Sequence, residues 1–139
     1  MQLIVTGGAG FIGSNLIHCA IERGYRVLNL DCLTYASSIA NLKVFEKNPA
    51  YSFAHIDLRD TDAVQNIVHN TEADCIVHLA AESHVDRSID RPSDFITTNI
   101  MGTFNLLEAF RSFQLKSKNP EQLKLLHVST DEVYGSLGD

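Results

Sequence analysis

Gln2-Leu3-Ile4-Val5-Thr6-Gly7-Gly8-Ala9-Gly10-Phe11-Ile12-Gly13 passes within twelve residues from an apolar run, through a cluster of glycines, into a helical repeat. The run reads as a short strand. Beyond it Phe11, Ile12, Leu16, Ile17 and Ile21 recur at the one- and four-residue spacings of a helix face. Gly24 stands where such a helix ends on a left-handed residue. The pattern Gly8-x-Gly10-x-x-Gly13 lies between strand and helix, the setting its mechanism requires. Glycine permits the tight turn and lets backbone approach a pyrophosphate with no Cβ in the way. The helix N-terminus adds unpaired N–H groups and a partial positive charge. Gly7, Gly10, Phe11, Ile12 and Gly13 are therefore candidate dinucleotide contacts, although the same residues also suit a plain tight turn packed on a sheet.

Outward from this stretch, short apolar runs alternate with helical segments. Val27 to Leu30 is a second strand ending at Asp31, and a short helix spans about Ile39 to Glu46, stopped by Asn48-Pro49. Tyr51 to Ile56 is a third strand, less apolar and so nearer an edge, and Thr61-Asp62 caps a helix carrying Val64, Ile67 and Val68. Cys75 to Leu79 is a fourth strand, continuous enough to be buried on both faces. A long polar connection through Arg91-Pro92 leads to a long helix, in which Phe104, Leu106, Leu107 and Phe110 are expected as core contacts, and Leu123 to Ser129 is a fifth strand. Strict alternation of strand and helix predicts parallel strands joined by right-handed crossovers. The fold expected is an α/β, Rossmann-type doubly wound parallel sheet of order 3-2-1-4-5, one domain over residues 1–139, with a ligand above the switch point between the first and fourth strands.

Asp31 sharpens the ligand. It follows Gly13 by eighteen residues, where a carboxylate can accept hydrogen bonds from the adenosine ribose hydroxyls. Such a carboxylate repels a 2′-phosphate, and no arginine lies between Cys32 and Ser38 to counter it, so the cofactor expected is NAD rather than NADP. An ordinary loop carboxylate would occupy the same place. Asp57-Leu58 closes the third strand, where it could reach an adenine or form a surface turn, and the small residues of Leu79-Ala80-Ala81 would let backbone run beneath the cofactor.

Eleven basic against seventeen acidic residues, a formal net charge of −6, argue against a nucleic-acid or anionic-membrane partner. No run approaches the roughly 20 apolar residues of a membrane helix. Cys19, Cys32 and Cys75 are odd in number and form no C-x-x-C pair, so reduced thiols and a cytoplasmic setting are expected. The histidines His55, His78 and His127 fall in separate strands without ligand spacing, and no metal is expected.

Ser129-Thr130-Asp131-Glu132-Val133-Tyr134-Gly135 places two carboxylates beside a hydroxyl after the fifth strand. Two such groups in different environments can divide acid and base roles between them; a solvated acidic loop fits the spacing equally well. The glycine turn, His78-Leu79-Ala80-Ala81-Glu82-Ser83-His84-Val85-Asp86-Arg87-Ser88-Ile89, Thr98-Asn99-Ile100-Met101-Gly102-Thr103 and this last segment together resemble the extended short-chain dehydrogenase/reductase family, and within it the dTDP-glucose 4,6-dehydratases. The resemblance covers the whole chain but only the first part of a family member, so it implies a chain truncated before the substrate domain.

That resemblance implies oxidation of a nucleotide-linked glucose at carbon 4, loss of water across carbons 5 and 6, and hydride return to carbon 6, with NAD kept bound. It assigns Thr130 to the oxygen on carbon 4, Asp131 as the acid at the carbon 6 hydroxyl and Glu132 as the base at carbon 5. It places Glu82 and Ser83 against the sugar, adds Leu33, Thr34 and Thr98 to the cofactor contacts, and implies a homodimer of the full-length enzyme. Two departures stand out. Cys32 occupies a position where family members often carry lysine, and none of Tyr25, Tyr35, Tyr51 or Tyr134 has the lysine four residues on that the family uses at carbon 4. Alternatives are another nucleotide-sugar dehydratase, decarboxylase or epimerase of the same family, or a dinucleotide-binding module without catalysis.

Overall fold

A strand buried from its second residue to its last must lie in the middle of a sheet covered on both faces. Strand β1 (Gln2–Thr6) is such a strand. The computed structural model describes residues 1–135, with the side chains of Val85, Asp131 and Glu132 outside that description. Among the described residues β1 is flanked by β2 (Arg26–Asp31) and β4 (Cys75–His78), while β3 (Tyr51–His55) and β5 (Lys124–His127) form the two edges. All four pairings are parallel, and the order is 3-2-1-4-5, as the alternation of elements predicts.

Side chains alternate across the pleat and so divide the core into two layers. Ile4, Leu28 and Ile76 point to one face, where they pack with Val64 and Val68 of helix α2 (Thr61–Asn70) and with Leu106 and Ala109 of α5 (Thr103–Lys116). Leu3, Val5, Val27 and Val77 point to the other, against Ile17 and Ala20 of α1 (Phe11–Glu22) and Leu42. Winding reverses between β1 and β4, so the carboxyl ends of the strands frame one cleft at that point.

Helix α1 ends as expected. Gly24 is left-handed at φ +78°, its N–H donates to Ile21 O, and Tyr25 N–H donates to Ala20 O, the paired bonds of a Schellman cap. Other expectations need correction. The cap of α2 is Asp60, whose Oδ1 accepts from Ala63 N–H at 3.0 Å; Thr61 and Asp62 lie inside the first turn. The segment Ile39–Phe45 is a 3₁₀ helix. The polar connection before Pro92 contains a helix, α3 (Val85–Asp90).

The expected long helix is composite. It begins as α4 (Pro92–Phe95), passes through a π-helical segment, Ile96–Gly102, and continues as α5. Thr97 Oγ1 donates to Ser93 O and Asp94 O, and such back-bonding loosens the regular ladder. At about 100° per residue, Phe104 and Leu106 lie on opposed faces. Leu106 is fully buried and Phe110 packs against it, whereas Phe104 and Leu107 are about half exposed rather than core. No helix among the described residues is long and apolar enough to cross a membrane.

Candidate functional site

Thr6 ends β1, and the chain turns at once. Gly7 takes φ +70°, and its N–H donates to Leu30 O at the end of β2 while its carbonyl accepts from Gly10 N–H. A Cβ on Gly7 would lie 2.7 Å from Ala80 N and 2.9 Å from Leu79 C, so this glycine rests directly on the backbone that leaves β4. A Cβ on Gly13 would lie 2.2 Å from Gly7 O. The turn and the first turn of α1 are therefore in backbone contact, which only glycine allows. Gly10 is the N-cap and offers no side chain, and the first turn of α1 carries no acidic residue. Helix geometry leaves the N–H groups of Phe11, Ile12 and Gly13 without intrahelical partners, a setting suited to an anion.

Asp31 is buried, with 6% of its surface exposed, yet it lines the cleft. Its Oδ2 accepts from Ala9 N–H at 2.9 Å; its Oδ1 accepts from Leu33 N–H and from Ser37 Oγ, each at 2.8 Å. One carboxylate thus ties the glycine turn to the loop after β2. That loop carries a strained residue, Leu33 at φ +54°, in the left-handed region that costs a leucine of order 1 kcal/mol.

The cleft has a volume of about 810 Å³. Gly7, Gly10, Phe11, Ile12, Gly13, Asp31, Thr34, Asp57, Leu58, Leu79, Ala80, Ala81, Glu82, Ser83, Thr98 and Thr130 all line it, so residues scattered through the sequence meet at one place. Leu33 is not on its wall and contributes backbone geometry instead. Asp131 and Glu132 open a short 3₁₀ turn beside Thr130, but their side chains lie outside the described set. Asp57 is held by Arg59 in a forked ion pair, with Nε at 2.9–3.0 Å from both carboxylate oxygens, and the guanidinium keeps its pKa below the usual carboxylate range.

Several participants have no role assigned to them by the sequence reading. Thr6 Oγ1 accepts from Leu79 N–H and Ala80 N–H and lies 2.7 Å from His78 Nδ1. With its lone pairs so engaged, the hydroxyl donates to Nδ1, which fixes the imidazole as the Nε2–H tautomer. Nε2 then donates to Thr103 Oγ1 at 2.9 Å. This buried relay joins β1, β4 and α5 beneath the Leu79-Ala80 backbone. Asn99 clamps the next stretch, accepting from Glu82 N–H and donating to Glu82 O, both at 2.8 Å. Asn105 Nδ2 donates to Leu58 O at 2.9 Å and anchors the wall opposite.

Burial, and secondarily the neighbouring His127 ring at 4.9 Å, lowers the His78 pKa from 6.5 to about 4. The unfolded chain therefore takes up this proton first, and stability present above pH 6.5 is lost as pH falls toward 4. By pH 5 the loss should reach about 2 kcal/mol, levelling off near 3 kcal/mol below pH 4. Urea unfolding at pH 7 and pH 5 tests this. The wild type should show the larger drop and His78→Gln a smaller one; equal slopes would rule out His78 as the source. Among the described residues no three His, Cys, Asp or Glu side chains gather as a metal would need, and His55 lies apart, bonded to Cys32 O.

Comparison with known proteins accords with this geometry. The probable dTDP-glucose 4,6-dehydratase of Sinorhizobium fredii is 48% identical over 141 residues, covering 100% of this chain and 40% of its own. The dTDP-glucose 4,6-dehydratase of Escherichia coli is 48% identical over 140 residues, covering 99% of this chain and 39% of its own. The crystal structure of DesIV, a dTDP-glucose 4,6-dehydratase from Streptomyces venezuelae with NAD and TYD bound, matches with a TM-score of 0.84 at 42% identity, over 100% of this chain and 42% of that one. The chain thus spans about 40% of the length of the curated relatives it matches. A family model described as GDP-mannose 4,6 dehydratase matches residues 4–139. With the glycine turn, the Asp31 tie and the sheet order all inside that match, the chain belongs to the GDP-mannose 4,6-dehydratase family.

Proposed function

We propose that residues 1–139 form the NAD-binding domain of a nucleotide-sugar dehydratase acting on dTDP-glucose, converting it to dTDP-4-keto-6-deoxyglucose. The observation that carries this reading is the convergence on one cleft of the glycine turn, Asp31, and the Ser129-Thr130 segment that leads into Asp131-Glu132. The relatives named as dTDP-glucose 4,6-dehydratases, and the NAD and TYD of the Streptomyces structure, point the same way.

The residues fit a dinucleotide. Gly7 and Gly13 keep side chains out of the turn, α1 offers its first N–H groups with no acidic residue among them, and Asp31 has used three of roughly four acceptor sites, leaving one toward a ribose hydroxyl. Arg59 faces the same cleft, but Asp57 already holds its guanidinium, so the cation that would attract a 2′-phosphate is engaged and NAD is favoured over NADP. When bound, the dinucleotide supplies the hydride acceptor and donor for carbon 4 and carbon 6. Thr130 holds the oxygen on carbon 4. Asp131 protonates the departing hydroxyl on carbon 6, and Glu132 removes the proton at carbon 5, which the carbon 4 ketone has made acidic. Glu82 and Ser83 line the sugar side, while Thr34, Asp57, Leu58, Leu79, Ala80, Ala81 and Thr98 frame the cofactor and Leu33 shapes the loop behind them.

No tyrosine in residues 1–139 has a lysine four positions on, so the carbon 4 base belongs to the length of the relatives that this chain does not span. We infer a cytoplasmic enzyme whose partner is a nucleotide sugar, without nucleic acid or membrane, as the net charge of −6 favours. An exposed apolar stripe of Ile96, Ile100, Phe104 and Leu107 supports a homodimer in the longer protein. The test supplies the longer protein with NAD and either dTDP-glucose or UDP-glucose and measures 4-keto-6-deoxy sugar. Faster turnover of dTDP-glucose is expected. Equal or faster turnover of the UDP sugar would overturn the substrate, and product from residues 1–139 alone would overturn the division of labour.

A further inference from the structure

We propose that Tyr35, Glu82 and Arg87 form a strap over the diphosphate of the bound dinucleotide, with Arg87 as its phosphate-facing cation, and that this strap limits how fast the dinucleotide leaves. The proposal rests on the cofactor reading above. It begins from topology: Tyr35 lies on the loop after β2, whereas Glu82 and Arg87 follow β4. Because β1 lies between β2 and β4, any contact joining those loops passes over the carboxyl end of β1, where the glycine turn and the start of α1 lie.

Such a contact exists. Tyr35 Oη donates to Glu82 Oε2 at 3.2 Å, and the Arg87 guanidinium carbon stands 3.9 Å from the centre of the Tyr35 ring. His84 meets the same ring edge-on at 6.4 Å. Both bases of the strap are fixed. Ser37 Oγ is held by Asp31, Ser38 N–H donates to Ala9 O at 2.8 Å, and Asn99 clamps the Glu82 backbone. The span between them is not: Tyr35 is 50% exposed, and its side chain meets the Glu82 carboxylate, the Arg87 guanidinium and the edge of the His84 ring. Interactions of that kind break and re-form far more readily than a core does.

Electrostatics assigns the second half of the role. Among the described residues the cleft wall carries the carboxylates Asp31, Asp57, Glu82 and Asp94 and two cations, Arg59 and Arg87. Arg59 is taken by Asp57, while Arg87 makes no ion pair among the described residues. The first turn of α1 has no lysine or arginine of its own. Among the described residues, a diphosphate entering so acidic a cleft therefore meets one cation outside an ion pair. A guanidinium carried over an aromatic ring can still donate N–H groups to phosphate oxygens.

Release of NADH from the chain, followed by its fluorescence after mixing with excess NAD, tests the strap. Tyr35→Leu should speed release about fivefold, the scale of a lost cation–ring contact, and Arg87→Ala about tenfold. The double variant should fall well short of the product of the two single effects, since both changes break the same Arg87–Tyr35 contact. Tyr35→Phe, which keeps the ring and loses only the hydroxyl, should shift release less than Tyr35→Leu. ADP-ribose should weaken with Arg87→Ala by the same factor as NADH. Unchanged release in both single variants, or effects that multiply in the double variant, would overturn the strap. An effect on NADH with none on ADP-ribose would move Arg87 off the diphosphate and overturn its assigned role. A wild-type chain that binds no NADH would overturn the cofactor reading itself, and the strap with it.

Discussion

Gly13→Ala is expected to destabilise the chain by about 3 kcal/mol or more and to abolish dinucleotide binding. The added Cβ would stand 2.2 Å from Gly7 O, 2.6 Å from Gly8 Cα and 2.9 Å from Gly7 C. All three are backbone atoms, so no rotamer change relieves the clash. Nor can the turn retreat, because Gly7 donates to Leu30 O, accepts from Gly10 N–H, and already rests on the Leu79-Ala80 backbone. Either α1 lifts away from the turn or its first turn unwinds. Both outcomes remove the row of N–H groups on which a pyrophosphate would sit. Gly10→Ala supplies the contrast. Its nearest contact would be Gly7 O at 3.2 Å, at an extended φ of −76°, so a loss of no more than about 1 kcal/mol is expected. Urea unfolding together with calorimetric titration of NAD measures both variants. A Gly13→Ala chain as stable as Gly10→Ala, with comparable NAD affinity, would refute the packing argument.

The same turn explains why so much of the fold was legible. Gly8-x-Gly10-x-x-Gly13 carries its reason in its spacing: each glycine answers a local steric demand, and strand and helix must flank it. The two-layer alternation of Leu3, Ile4 and Val5 is equally local. What escaped depends on distance along the chain. Thr6 meets His78 across 72 residues, and Tyr35 meets Glu82 across 47, with no periodicity to announce either pair. His78 looked like one of several unconnected histidines because its partners are hydroxyls on β1 and α5. The spacing gives Asn99 and Asn105 no partner; only the packing of the long helix beside the cleft turns them toward Glu82 and Leu58. Asp60 was passed over as a cap because Thr61-Asp62 offers the same chemistry one residue later, and only the backbone dihedrals decide which residue stands outside the helix.

Asp31 carries the other large effect, and it has two separable parts. In the free chain its carboxylate binds Ala9 N–H on one oxygen, and Leu33 N–H and Ser37 Oγ on the other. Asp31→Ala leaves the Ala9 N–H buried without an acceptor and frees the loop that holds Leu33 in its strained conformation. A loss of about 3 kcal/mol is expected, since hydrogen bonds to a charged group contribute about 1.5–3 kcal/mol each and part of that is offset by no longer burying the charge. Asp31→Asn should cost less. Its amide oxygen can keep Leu33 and Ser37, but its NH₂ then faces the Ala9 N–H, so the tie to the glycine turn is what breaks. The second part concerns the ligand. The carboxylate is the charge that disfavours a 2′-phosphate, and Asp31→Asn removes it without removing the side chain. The preference for NAD over NADP should then fall by about tenfold, the effect of one charge pair at about 1.4 kcal/mol. Unfolding measurements without ligand and paired NAD and NADP titrations keep the two parts distinct. A stability change below about 1 kcal/mol in Asp31→Ala would remove the structural tie. An unchanged NAD-to-NADP ratio in Asp31→Asn would mean that Asp31 shapes the loop while some other group reads the ribose.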